Sequence, residues 1–280
     1  MGTSKSYSGP SGKNPLIPPW AEVDVEGNLQ ESPIESDPSI PNTDQNNNPS
    51  IPNIPNLESW GNVKGNFTRY ASRSSSSGYG GRRTMRSFVR AQGGARMASN
   101  SSRRGRSVIQ NIGGVLSGLA QQGSNFVYEG FNFQECMGKK PTEILAILVD
   151  LVAPDNDDLE SMIARNASIE AFQKLFEIFD VTSEGLDSLK NINLDNMKIV
   201  FQTYLSEYIF ASLLQKAGQK LEKMPPKDAK RTEKMIKDYI SSKVNLDLST
   251  TDFSKMDWKG QPGKNFVQGI FQKAYELMEA

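Results

Sequence analysis

Apolar side chains recur at helical spacing mainly in the second half of the chain. From about residue 107, Val108, Ile109, Ile112, Val115, Leu116 and Leu119 fall on one face of a helix. Gly113, Gly114 and Gly118 weaken that helix by roughly 1 kcal/mol each relative to alanine. Small residues in a helix admit a close neighbour, so a packing role is expected. Pro141 opens a second run, Ile144, Leu145, Ile147, Leu148, Leu151 and Val152, which stops at Pro154. Being apolar nearly all round, it predicts a central buried helix. Ile169, Phe172, Leu175, Phe176 and Phe179 mark a third helix. Met197, Phe201, Tyr204, Leu205, Tyr208, Leu213 and Leu221 mark a longer one over roughly 194–222, ended by Pro225-Pro226. Two more follow, at Met235, Ile236, Tyr239 and Ile240, and at Phe266 to Met278. No sustained Val/Ile/Thr alternation appears, so no antiparallel sheet is expected. The pattern predicts an all-α domain of about six helices over 107–280, with Trp258 and Phe253 pinning a polar connection to its core.

Charge then divides the 280 residues in three. The net charge is zero, with 32 basic and 32 acidic side chains, but residues 1–60 hold eight acidic residues against Lys5 and Lys13, and ten of the 15 prolines. Such a segment buries too little apolar surface to offset chain entropy and reads as a disordered acidic arm. It repeats Pro38-Ser39-Ile40-Pro41-Asn42 as Pro49-Ser50-Ile51-Pro52-Asn53, which reads as a tether or as a docking peptide for aromatic grooves. One island stands out, Pro15-Leu16-Ile17-Pro18-Pro19-Trp20, whose tryptophan is a candidate anchor.

Residues 61–106 read as a basic linker. Between Glu58 and Glu129 there is no acidic residue, while Arg82, Arg83, Arg86, Arg90, Arg96, Arg103 and Arg104 are interleaved with Gly, Ser and aromatic residues. Guanidinium forks bind phosphate and aromatic rings stack on bases, which points to nucleic acid; a protein partner with an acidic groove would be served equally well. Met85, Phe88, Val89 and Met97 can also form a short amphipathic helix.

Candidate chemistry is sparse. The absence of histidine excludes Ser-His-Asp and Cys-His catalysis and histidine-ligated metals. Cys136, the only cysteine, reads as a small core residue. Asp155, Asp157 and Asp158 lack calcium-loop spacing and are expected to cap the helix that follows. No phosphate-binding loop, nucleophile elbow or dinucleotide fingerprint occurs. The expectation is a non-enzymatic accessory protein without cofactor or metal, and the apolar runs are too short to span a bilayer.

The sharpest feature is the start, Met1-Gly2-Thr3-Ser4. Removal of Met1 leaves Gly2, an unhindered amine with a reference pKa of about 8. The same residues fit the loose myristoylation template, although one acyl chain gives only marginal attachment. No apolar signal-peptide core is present.

Met1-Gly2-Thr3-Ser4, Ser8-Gly9-Pro10 and Pro15-Leu16-Ile17-Pro18-Pro19-Trp20 together resemble the start of QatB proteins, the B component of bacterial QatABCD anti-phage systems. Arg86-Ser87-Phe88-Val89-Arg90, Gly93-Gly94-Ala95-Arg96-Met97 and Phe210-Ala211-Ser212-Leu213-Leu214 are similar to that family's later regions, whereas the Asn/Pro-rich stretch near 35–58 departs from it. The resemblance implies a cytoplasmic defence protein without a catalytic site. It would act beside a P-loop ATPase, a QueC-like enzyme and a TatD-like nuclease. It further implies conjugation of a deazaguanine to the Gly2 amine, with Thr3 and Ser4 entering the enzyme and Leu16, Ile17, Pro18, Pro19 and Trp20 docking nearby.

Overall fold

The computed structural model describes residues 58–72, 78–155, 157–179, 186–244 and 256–280. Gly2, Thr3, Ser4, the Leu16–Trp20 island, the proline repeat and Phe253 lie outside the described residues.

Nine α-helices occur among the described residues: α1 (Trp60–Ala71), α2 (Gly78–Ala91), α3 (Ala95–Ser101), α4 (Arg103–Gln122), α5 (Pro141–Val152), α6 (Leu159–Phe179), α7 (Leu194–Ala217), α8 (Pro226–Lys243) and α9 (Gln261–Glu279). The six from α4 onward are those the periodicity predicts, and the all-α class holds. The helical body starts earlier than position 107, however. Residues read as a basic linker over 61–106 form α1, α2 and α3, and they share one unit with the other described residues. Val63 and Phe67 of α1, Met85, Phe88 and Val89 of α2 and Ala98 of α3 are buried with the rest of the core. Arginine at four-residue steps leaves a continuous apolar face on α2, which composition alone conceals. Met97, grouped with that face in the sequence, is instead exposed on α3.

The central helix is α4. Ile109, Ile112, Val115, Leu116 and Leu119 are all fully buried, and α5, α6, α7 and α9 surround it. By contrast α5, expected at the centre, is peripheral: Ile144, Leu148, Val149 and Val152 face inward, while Leu145, Ile147 and Leu151 are half-buried and Asp150 is exposed beside Arg165. A second departure is a small hairpin, β1 (Val127–Tyr128) with β2 (Phe131–Asn132), paired Val127 to Asn132 and Tyr128 to Phe131. Its turn, Glu129-Gly130, has φ of 50° and 88°, the left-handed pair that a tight hairpin needs. Two residues per strand are too few to show alternation in the sequence.

Glycines in α4 seat aromatic rings rather than a neighbouring backbone. A Cβ on Gly113 would fall on the Trp258 ring and one on Gly118 on the Phe126 ring. Trp258 is thereby buried, as expected, and its Nε1 donates to Ser117 Oγ at 2.8 Å. Cys136 is fully buried, and burial pushes its thiol pKa up, which suits a packing residue. Asp158 caps α6 as predicted, accepting from Ser161 N at 2.9 Å.

Candidate functional site

Two features of the surface stand out, both built around α2 and α9. In the first, arginines at four-residue spacing on α2 grip the end of α9. Arg82 Nε donates to the Ala280 main-chain oxygen at 3.1 Å, and Arg86 Nε donates to that of Glu279 at 2.9 Å. Further Nη contacts from both reach Ala280. Arg90 Nε lies 3.6 Å from Glu279 Oε1, whose other carboxylate oxygen accepts from Ala95 N at 3.1 Å. Helix carbonyls lacking an intrahelical partner carry partial negative charge, so the Arg82 and Arg86 guanidinium groups satisfy acceptors here and, with Arg90 beside the Glu279 carboxylate, complement the dipole of α9.

The structure therefore separates the sequence-predicted arginines. Arg82, Arg83, Arg86 and Arg90 line one cavity of about 320 Å³ with Glu58 and Ser87, but only Arg83 among the four has no such bond to α9. Arg104 pairs with Asp158 at 3.6 Å, while Arg96 and Arg103 are exposed on α3 and α4. Arg106, outside that predicted set, bridges to Gln268 and to the Asn100 carbonyl.

The second feature is a cleft of about 430 Å³ among α1, α2, α6, α7 and α9, which sequence reasoning missed. Trp60 stands edge-on to Phe88 with ring centroids 6.1 Å apart, and Lys216 Nζ sits 5.7 Å from the Trp60 ring centroid. Also lining the cleft, Glu160 Oε1 accepts from Tyr208 OH at 2.9 Å, from Arg104 N at 2.9 Å and from Gly105 N at 3.4 Å. The first helical turn of α4 has no side-chain cap of its own, so Glu160 supplies one from α6. Ser102 Oγ and Tyr275 OH lie 3.0 Å apart and close the floor. Burial drives the Tyr275 phenol up to about 12 and holds Tyr208 well above its ordinary value, so both are neutral hydrogen-bonding groups at physiological pH.

The one sequence signal for the cleft was the aromatic stripe Tyr204-Tyr208 on α7. It reads as core, and Tyr204 is indeed fully buried, donating to the Gly105 carbonyl at 3.0 Å. Tyr208 lines the cleft because residues more than 45 positions away, at the starts of α4 and α6, come against it.

Among the described residues, no group of three His, Cys, Asp or Glu side chains is placed to hold a metal ion, and no helix is long and apolar enough to cross a membrane.

Fold and sites together define a helical protein with a mixed aromatic and polar cleft among its described helices. The family model described as "Qat anti-phage system associated protein QatB" matches residues 93–278, more than half of the chain, and the chain belongs to that family. No curated protein sequence and no solved structure matches it.

Proposed function

We propose that this chain is a non-catalytic accessory subunit of its anti-phage system and that its amino terminus is the acceptor of a covalent modification. The observation that carries the reading is family membership over α3 to α9, joined to a first segment, Met1-Gly2-Thr3-Ser4, that offers a small, unhindered amine. In this reading a QueC-like enzyme conjugates a deazaguanine to the Gly2 amine: the nitrogen attacks an activated carboxyl derivative of the deazaguanine, an amide forms as the activating group leaves, and the nitrogen gives up a proton. Leu16, Ile17, Pro18, Pro19 and Trp20 help to dock the arm, and the helical body engages the P-loop ATPase and TatD-like nuclease.

Co-expression with the QueC-like component tests it. Intact-mass spectrometry is expected to show an added mass on the peptide beginning at Gly2, absent from Gly2→Pro. An unmodified amino terminus under those conditions rejects the reading. Nucleic-acid contact is the alternative, and it rests on the exposure of Arg83, Arg96 and Arg103.

A further inference from the structure

We propose that the cleft walled by Trp60, Phe88 and Tyr208 is a docking site for an extended segment of another protein, one that inserts a large apolar side chain and places a carboxylate against Lys216. This deepens the accessory-subunit reading and rests on it.

The size fits the occupant. A cavity of about 430 Å³ accommodates one aromatic or long aliphatic side chain with adjoining backbone. α6 carries exposed apolar side chains here: Leu159 and Met162, three residues apart, are 50% and 53% exposed. Residues at that spacing lie on one helix face, and Leu159 also lines the cleft beside Ile163. Exposed aliphatic surface beside an aromatic-walled cleft suits an apolar anchor from a protein ligand.

Charge specifies the segment further. Two ionic groups line the cleft, Glu160 and Lys216. The carboxylate of Glu160 is already compensated by two backbone N–H groups and a phenol. The ammonium of Lys216 meets the π face of Trp60 and no carboxylate among the described residues. The uncompensated charge is therefore positive, and exposed Arg103 directly follows Ser101 and Ser102 of the wall. An acidic residue beside the anchor completes the site. Ser212 and Gln215 of α7 and Gln92, just after α2, offer polar groups to the main chain of such a segment.

The test selects displayed short random peptides on the full-length chain and measures synthetic copies of the winners. Enriched peptides are expected to carry an aromatic or long aliphatic residue next to Asp or Glu. Ser212→Trp, which fills the cleft, is expected to weaken them by about tenfold or more. Lys216→Glu is expected to turn the preference towards Lys or Arg, which a mere loss of folding would not do. Failure to enrich any peptide, winners without an acidic residue, or equal binding to Ser212→Trp overturns the proposal. So does concentration-dependent self-association that Ser212→Trp abolishes, since the occupant would then be a second copy. Gly2 modification is read separately by mass, so either idea can fail alone.

Discussion

The indole of Trp258 lies flat against the position that a side chain would need at Gly113, so that a Cβ there would overlap the ring. Trp258 reaches α4 from the connection before α9, far along the sequence, and closes one side of the central helix.

Replacing Gly113 is consequently costly despite the gain in helix propensity. Gly113→Ala is expected to lose about 1–3 kcal/mol from overpacking, against roughly 1 kcal/mol recovered from propensity. Gly114→Ala is the internal comparison, because its Cβ would meet Tyr128 and Trp258 at ordinary contact distances of 3.4 and 3.6 Å; it should be neutral or stabilising. Urea denaturation followed by far-ultraviolet circular dichroism compares the two, and equal stabilities would contradict the packing of Trp258.

Removing the arginine grip should loosen one helix end and leave the rest folded. In Arg82→Ala/Arg86→Ala, the last turn of α9 loses donors to Glu279 and Ala280. These groups are partly solvated, so the expected loss is about 1–2 kcal/mol. Hydrogen–deuterium exchange is expected to rise in the last turn of α9 and near Ala95, with little change in α7. Arg83→Ala, which removes no bond to α9, should leave exchange unaltered.

High pH should unfold the protein cooperatively. Burial pushes Tyr128 and Tyr275 up to about 12 and holds Tyr204 and Tyr208 well above their ordinary value, whereas unfolded phenols titrate near a pKa of about 10. Above about 10 the unfolded chain releases these protons and the folded one keeps them. Stability is thus intact below about pH 10 and falls as pH rises towards 12. Phenolate absorbance from these four of the eight tyrosines should appear together with the loss of helical signal. Full ionisation at unchanged helicity would refute their burial.

The periodic runs after residue 107 made six helices legible, since a 3.6-residue apolar stripe is a local property that neighbours only reinforce. Asp158 as a cap, Pro141 as a helix start and Cys136 as a core residue were legible for the same reason: each depends on nearby residues. The helices α1 to α3 were obscured because arginine dominates the composition of a segment whose apolar residues are few but aligned.

Sequence by itself determined the helical class and the main helix positions, and it presents Gly2 as a small amino-terminal residue. Only tertiary structure decided which apolar helix is central, since α5 is richer in apolar residues than α4 but lies at the edge. It also decided that three arginines of α2 bond to the end of α9, and that Trp60, Tyr208 and Lys216 meet in one cleft. Those outcomes depend on which surfaces face each other across long stretches of chain, and no local pattern of side chains encodes that pairing.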